Sequence, residues 1–212
     1  MVTGDFPCIA RKRLAEREGV PHLYFTECAG NITTGKYNDG VADNRELFTT
    51  RILDAMEASE ADYTEHRVCE PVWKVVPVLL PPREDQKEED LLALIEDPNP
   101  EYNKRSSRAA IILAYQRRVR EGKAIPVASL RFGDSIAVVH LPGEAFMEYQ
   151  KHAQACAPGA LVAVPSYGDC GPGYITMARS FEEGGYEPCD SFCSGESEGI
   201  LMQAITEVVR PS

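Results

Sequence analysis

Two groups that could bind a ligand follow two short apolar runs in the second half of the chain. Glu144 comes directly after Pro142-Gly143, which turns the chain out of the run Ile136–His140. Tyr174 lies in a Gly- and Pro-rich polar segment that follows the run Leu161–Val164. Short β-branched runs of this kind are typical of buried strands. In an α/β sheet both polar segments would open at the carboxyl edge of the strands, where such folds bind ligands. We therefore predict a ligand site at this edge.

Both groups also have simpler interpretations. A helical pattern begins at Phe146, so the Glu144 carboxylate could cap that helix and face the positive end of its dipole. Tyr174 could be a loop tyrosine that packs on the core. Neither alternative requires a ligand, and the sequence alone leaves both open.

A third polar segment lies near the start of the chain, over residues 27–40. It contains Gly30, Asn31 and Thr33, whose types tolerate unusual backbone angles or offer amide and hydroxyl groups. A hydroxyl beside a reacting carbonyl can orient substrate or stabilise an oxyanion. The alternative is a Gly-Asn turn in which the threonine hydroxyls satisfy nearby backbone groups.

The elements that must position these segments alternate between strands and helices. Gly133-Asp134 separates two apolar runs and predicts a hairpin. The segment Val68–Pro81 contains prolines and a period of two, which favours an edge strand or a crossing strand. One further strand is predicted at His22–Thr26. A helix capped by Asp43 or Asn44 is predicted to carry Leu47, Ile52, Leu53 and Met56 on its inward side. The other predicted helices cover Gly4–Glu18, Arg83–Asp97, Tyr102–Glu121 and Gly199–Val209. We therefore predict an α/β fold with a mixed sheet and helices on its faces, as a single domain over residues 1–212.

Charge and composition exclude several classes of function. The net charge of −11 argues against nucleic-acid binding and against docking on an anionic membrane. No apolar stretch approaches the length of a membrane helix, and residues 1–6 do not form a secretory signal. We expect a cytoplasmic protein, or a secreted or periplasmic one if the chain is truncated.

Seven cysteines with irregular spacing indicate mostly reduced, buried thiols. Cys170, Cys189 and Cys193 could instead hold a structural zinc ion, but a second Cys-x2-Cys arm is missing. A catalytic cysteine is disfavoured because no motif places a base beside a thiol.

Three short motifs together resemble the carboxyl half of the catalytic domain of neutral, non-lysosomal ceramidases, in a divergent bacterial branch. They are Pro142-Gly143-Glu144, Gly173-Tyr174-Ile175-Thr176 and Ala29-Gly30-Asn31-Ile32-Thr33. The family comprises zinc-dependent amidases that split the N-acyl bond of ceramide-like lipids.

The resemblance implies roles for individual residues. Glu144 and Tyr174 would be oxygen ligands of a catalytic zinc ion, and Tyr174 would help to hold the developing oxyanion. Thr33 would take the position of an active-site serine. Gly30, Asn31 and Gly173 would belong to the loops around the substrate. Asn31 replaces an acidic residue of the family motif, and Thr34 replaces a proline. These departures leave open whether the amide substrate is a small molecule or a lipid.

The two zinc-ligating histidines of the family have no counterpart in this sequence. The chain has four histidines, His22, His66, His140 and His152, and none lies in a His-x-His or His-Pro-Thr context. In the family both histidine motifs precede the segment that Gly4-Asp5-Phe6-Pro7 resembles. We therefore expect a ceramidase-like zinc amidohydrolase that is incomplete in this chain, with a missing amino-terminal half or a homo-oligomer to complete it. The alternative is a catalytically inactive domain that binds a partner or self-associates.

Overall fold

The two apolar runs on either side of Gly133-Asp134 form the predicted hairpin, of strands β2 (Ile125–Phe132) and β3 (Ile136–His140). The computed structural model describes residues 4–61, 63–67, 70–97, 103–169 and 171–210. The chain divides into two compact units, Met1–Thr26 with Thr33–Arg67 and Glu27–Ile32 with Val68–Ser212. The prediction of one domain over residues 1–212 stays a prediction.

The first unit is built on two helices, α1 (Asp5–Glu18) and α2 (Asn44–Glu60). Helix α1 ends where the sequence predicts, because Gly19 takes a φ of 73° and its N–H donates to the carbonyl of Ala15. The helices pack through Phe6 and Phe48, whose ring centroids are 5.4 Å apart. A 3-10 turn, Gly35–Tyr37, lies in the connection between them.

The predicted strand at His22–Thr26 does not form. The segment is not part of any described strand, and Leu23 and Phe25 are exposed. Its composition favours a strand, but a strand needs a neighbour to satisfy its backbone groups, and none is present among the described residues.

The second unit contains a four-stranded mixed sheet and a two-stranded sheet. The larger sheet has the order β1-β2-β3-β5, with antiparallel pairs except for the parallel pair of β3 and β5. The remaining strands are β1 (Pro71–Val78), β4 (Glu144–Ala145), β5 (Leu161–Ala163) and β6 (Tyr174–Ile175). The helices are α3 (Glu88–Glu96), α4 (Asn103–Arg120), α5 (Met147–Cys156), α6 (Ser180–Glu183), α7 (Tyr186–Cys189) and α8 (Ser197–Val209). Strand β1 lies at the edge of the sheet, as its prolines predict.

Helices α8 and α5 cover one face of the larger sheet. Ser129 Oγ and an Arg131 guanidinium N–H on β2 donate to the carbonyls of Val208 and Val209, which satisfies the carboxyl end of α8. Alternating residues on this face, such as Val127 and Val139, are fully buried. The opposite face carries apolar side chains that are exposed or half-buried, including Trp73.

The α/β class and the mixed sheet with packed helices are confirmed. None of the helices in the described part of the chain is both long and apolar enough to cross a membrane.

Candidate functional site

Strands β4 and β6 place Glu144 directly beside Tyr174. The two strands are parallel and the two residues are register partners. The N–H of Glu144 donates to the carbonyl of Gly173 over 2.9 Å, and the N–H of Phe146 donates to the carbonyl of Ile175 over 3.1 Å. The two motifs that the sequence singled out, 30 residues apart, therefore meet in one short ladder.

Glycine at position 143 makes this close approach possible. Gly143 has a φ of 58°, and a Cβ atom there would lie 2.7 Å from the carbonyl oxygen of Gly173 and 2.8 Å from a ring carbon of Pro172. A side chain would therefore clash with the β6 segment. Ser166 also braces the turn, because its hydroxyl donates to the Gly143 carbonyl over 2.8 Å. Sequence reasoning missed Ser166, which no motif marks.

The third motif lies on the other side of β4. The N–H of Gly30 donates to the carbonyl of Ala145 over 3.0 Å. A Cβ atom on Gly30 would lie 2.4 Å from the carbonyl oxygen of Glu144, so only glycine fits here without displacing β4. Glu27 anchors this segment, because its carboxylate accepts hydrogen bonds from the Val164 N–H at 3.1 Å and from the Gln150 amide.

Asn31 connects the same segment to the start of helix α5. Its Oδ1 accepts a hydrogen bond from the Met147 N–H at 2.9 Å, and its Nδ2 donates to Glu148 Oε2 at 2.9 Å. Glu148 in turn pairs with Arg179 at 2.6 Å. Asn31 therefore satisfies one of the N–H groups that begin α5. The N-cap residue of α5 is Phe146, so Glu144 is in strand β4 and does not cap the helix.

The environment of Tyr174 holds its hydroxyl in the neutral form. Burial, the negative charge of Glu144 and a hydrogen bond to that carboxylate raise the pKa of Tyr174 to about 12. Tyr174 is half-buried and packs against the core. This agrees in part with the alternative interpretation, in which Tyr174 is an ordinary tyrosine packed on the core. The hydroxyl is a hydrogen-bond donor throughout the neutral pH range.

A second tyrosine flanks Tyr174. The ring of Tyr186 meets that of Tyr174 edge to face, with the centroids 5.8 Å apart. A hydrogen bond to the Asp190 carboxylate raises the pKa of Tyr186, and Asp190 forms an ion pair with Arg108. Helix α4 is thereby linked to the site through Arg108, a contact that the sequence pattern does not reveal because the residues are distant along the chain.

Thr33 lies in the first unit, whereas Glu144 and Tyr174 lie in the second. Its hydroxyl accepts a hydrogen bond from the N–H of Gly35 at 3.3 Å. This is the local turn contact that the alternative interpretation predicts. The role of Thr33 beside the reacting carbonyl stays a prediction.

Three of the histidines, His22, His140 and His152, make other contacts. His140 ends β3, where its ring packs on the backbone of Gly168 and its Nδ1 lies 3.6 Å from the Asp169 carboxylate. His22 bonds to Glu18, and His152 contacts helix α8. No cluster of three or more His, Cys, Asp or Glu side chains that could hold a metal ion occurs within the described ranges.

Glu144 and Tyr174 alone do not make a zinc site. Catalytic zinc ions take three protein ligands, mostly nitrogen, and keep a fourth position for water. The pair offers two oxygen donors, which fits one part of such a set and leaves its nitrogen ligands missing. The metal roles of Glu144 and Tyr174, and the substrate roles of Gly30, Asn31 and Gly173, stay predictions.

The proposed thiol cluster and the buried cysteines offer no alternative centre among the described residues, whereas Cys156 Sγ lies 3.6 Å from His152 Nε2. Cys193 is buried and Cys189 is exposed, and both are free thiols. Burial raises the pKa of Cys193 and raises that of Cys28 to about 12, so neither is a ready nucleophile. Cys170, the third member of the proposed thiol cluster, lies outside the described residues.

The fold is similar to that of solved ceramidase structures. The chain aligns over 99% of its length with the neutral ceramidase from Pseudomonas aeruginosa, with a TM-score of 0.64 and 15% sequence identity. It also aligns over 99% of its length with a ceramidase complexed with C2, with a TM-score of 0.65 and 14% identity. No protein-family model matches the sequence, and no curated protein sequence matches it either.

The likeness covers only part of those proteins. The chain spans 40% of the Pseudomonas aeruginosa ceramidase and 42% of the other ceramidase. The resemblance that the three motifs indicate is confirmed as a likeness of fold to part of those proteins.

Proposed function

We propose that this chain supplies the glutamate and tyrosine of a ceramidase-like amidohydrolase site. Its reaction would be hydrolysis of an N-acyl amide, in which water breaks the C–N bond to give a carboxylic acid and an amine. The observation that carries the proposal is the register pairing of Glu144 with Tyr174, the first residues of strands β4 and β6. The site is a half-site, and the histidine ligands come from another polypeptide segment.

The two side chains have complementary chemistry. With its pKa raised to about 12, Tyr174 keeps its proton and can donate a hydrogen bond to an amide carbonyl oxygen or to the oxyanion formed from it. Glu144 lies beside it as its register partner and supplies the second oxygen group of the pair. Zinc bound with additional histidines would supply an electrophile and a water of lowered pKa.

The substrate class follows from what remains available around this pair. Both polar ends of the Asn31 side chain are used to hold helix α5, which supports a structural role and leaves recognition to other groups. The half-buried Tyr174 and the exposed Tyr186 present aromatic surface next to the polar pair. This combination suits an amide with an apolar acyl group, as a small molecule or a lipid.

The proposal can be tested on the chain by supplying the missing nitrogen ligands as free imidazole. Zinc binding is measured by equilibrium dialysis with and without imidazole, for the wild type and for Glu144→Gln and Tyr174→Phe. We expect imidazole to promote binding of one zinc ion per wild-type chain. Both variants should lose at least about tenfold in zinc affinity, because even residues that only support a metal ligand contribute that much. Tyr186→Phe is the matched control, because it keeps the ring and lies beside the pair, and it should bind zinc like the wild type.

Equal zinc binding by the wild type and Glu144→Gln would contradict the proposed half-site. Circular dichroism of each variant shows whether a loss of zinc reflects unfolding. A wild type that binds no zinc under any of these conditions, while remaining folded, would also contradict it.

A second candidate is a binding domain without catalysis, and one observation favours it. The sheet face opposite α5 and α8 exposes apolar side chains, among them Trp73, which is the kind of surface that partner chains cover. The effect of Glu144→Gln distinguishes the two candidates. In a binding domain, the substitution should change neither zinc binding nor partner binding.

A further inference from the structure

A cavity of about 530 Å³ lies along the carboxyl-terminal half of helix α4, in the second unit. We call it the α4 cavity; along the helix it is lined by Ile111, Ala114, Tyr115 and Arg118. These positions are three or four residues apart, which places them in one row on the helix surface. The row has an apolar end at Ile111 and a charged end at Arg118, about 10 Å apart at 1.5 Å per residue.

The wall of the α4 cavity is positively charged, although the chain carries a net charge of −11. It contains the three cations of Arg117, Arg118 and Lys123. Glu121 adds one carboxylate, so three positive charges and one negative charge give the wall a balance of +2. Lys123 pairs with Glu121 at 2.6 Å, and Arg117 pairs with Glu88 at 2.9 Å. The charge that these ion pairs leave uncompensated is that of Arg118.

Arg118 also has a hydrogen-bond donor that the described residues leave unused. Its Nη2 donates to the carbonyl of Ala124 over 2.9 Å. Its Nε–H is buried, and no described group accepts a hydrogen bond from it. A buried charged donor without an acceptor costs free energy, and a shift of the guanidinium toward an acceptor in the cavity would remove that cost. The planar guanidinium matches the two oxygens of a carboxylate.

A simpler explanation accounts for only part of this arrangement. Cations are favoured near the carboxyl end of a helix, because they face the negative end of its dipole. This explains why arginines occur at the end of α4, but it explains neither the unused Nε–H of Arg118 nor the cavity beside it. The dipole also opposes an anion there, with the effect of about half an elementary charge. The full charge of Arg118 is larger, so the balance still favours an anion.

We propose that the α4 cavity binds a small amphiphilic carboxylate, with its charged group at Arg118 and its apolar body along Ile111. The inference goes beyond the proposed function, because it requires neither zinc nor the half-site. Ile111 is 56% exposed, so an apolar body would remove an apolar side chain from water. The volume of about 530 Å³ is in the range of small-molecule sites. Gly171 lines the same cavity, so the ligand would lie beside the loop that leads to Tyr174.

Calorimetric titration of the full chain with octanoate tests this inference. A metal chelator is present throughout, so that zinc plays no part. We expect the wild type to bind one octanoate per chain. Octanol has the same apolar body without the charge and should bind at least about tenfold more weakly, because a charge-assisted hydrogen bond is lost. Acetate has the charge without the apolar body and should also bind at least about tenfold more weakly.

Two substitutions locate the binding in the α4 cavity. Arg118→Gln removes the charge and should weaken octanoate binding at least about tenfold. Ile111→Asp places a like charge at the apolar end and should weaken it as well; because Ile111 is exposed, this variant should stay folded even if Arg118→Gln does not. Arg120→Gln is the matched control, because Arg120 is on the same helix and pairs with Glu88. It should bind octanoate within about twofold of the wild type.

Several results would overturn the inference. One is a folded wild type, judged by circular dichroism, that binds no octanoate. Others are octanol or acetate binding as tightly as octanoate, which would show an apolar cleft or an unselective anion contact. Equal weakening by Arg118→Gln and Arg120→Gln would show an effect of overall charge, and unchanged binding by Ile111→Asp would place the apolar body elsewhere.

The chelator separates this inference from the proposed function. A wild type that binds octanoate in the α4 cavity but binds no zinc in the dialysis experiment contradicts only the half-site. A wild type that binds zinc through Glu144 and Tyr174 but binds no octanoate contradicts only the carboxylate site.

Discussion

Glu144 and Tyr174 are register partners on the parallel strands β4 and β6, and the Glu144 carboxylate adds to burial in raising the pKa of the Tyr174 hydroxyl. Backbone hydrogen bonds on both sides of the pair fix this relationship, including that from the Glu144 N–H to the Gly173 carbonyl. The protonation of one side chain is therefore coupled to the charge of the other.

This coupling predicts a change in the titration of Tyr174. Burial is the largest cause of its raised pKa, followed by the charge of Glu144. In Glu144→Gln, measured with a metal chelator present, the pKa of Tyr174 should fall from about 12 toward, but not to, the ordinary value of about 10, because burial remains. NMR of ring-labelled tyrosine measures it, with Tyr174→Phe to assign the signal. Glu148→Gln removes a carboxylate that instead pairs with Arg179, so it should leave the pKa of Tyr174 unchanged. An identical shift of that pKa in both variants would contradict the pairing of Glu144 with Tyr174.

The pH dependence of stability should reflect Tyr149. This tyrosine is fully buried, its hydroxyl donates to the Thr176 carbonyl over 2.9 Å, and burial raises its pKa. Below pH about 10 the hydroxyl is neutral in both the folded and the unfolded chain, so its stabilisation is complete. As the pH rises above about 10, the unfolded chain ionises first and the free energy of unfolding falls.

We expect Tyr149→Phe to lower the free energy of unfolding by about 1–2 kcal/mol at pH 7, because the hydrogen bond is lost. The difference from the wild type should shrink above pH about 10, since the variant has no such group to ionise. Urea denaturation at a series of pH values measures both. Tyr63→Phe, at an exposed position, should track the wild type throughout. A constant difference across this pH range would show that Tyr149 ionises equally in both states.

Asn31 gives a prediction about helix α5. Asn31→Ala removes the acceptor for the Met147 N–H and should destabilise the protein by about 1 kcal/mol. Glu148→Gln keeps an acceptor for the Asn31 amide, so its effect on the free energy of unfolding should be within about 0.5 kcal/mol. Chemical denaturation of the two variants decides whether Asn31 stabilises the start of helix α5 or serves only in substrate binding. A fully stable Asn31→Ala would favour the substrate role.

Periodicity predicted most of the elements in the second unit because each is decided locally. Their own apolar residues, together with Gly and Pro residues between the elements, indicate strands β2, β3 and β5 and helix α8. Two predictions that depend on neighbours were wrong: the strand at His22–Thr26, which has no strand partner in the described part of the chain, and the inward position of Leu47, which is exposed. Local pattern cannot supply the other strand of a ladder or the helix that covers a face.

The site was predictable only as a set of motifs. Spacing marked Glu144 and Tyr174, but their pairing depends on Gly143 and on the Gly30 segment, which approaches β4 from more than 100 residues away along the chain. Glu27 and Ser166 hold this arrangement through two hydrogen bonds each and carry no sequence signal.

The Gly30 contact gives the most direct test of that arrangement. A Cβ atom at position 30 would lie 2.4 Å from the carbonyl oxygen of Glu144, an atom that is fixed in the β4 strand and cannot yield as a flexible side chain would. Gly30→Ala should therefore displace the 27–32 segment or β4, and lower the free energy of unfolding by about 1–3 kcal/mol. Gly35→Ala is the matched control, because its nearest neighbour would be 3.6 Å away, an ordinary contact. Denaturation measures stability, and the NMR titration of Tyr174 reports whether β4 still holds Glu144 beside it. If Gly30→Ala is as stable as Gly35→Ala and the pKa of Tyr174 stays near 12, the segment does not pack against β4 as described.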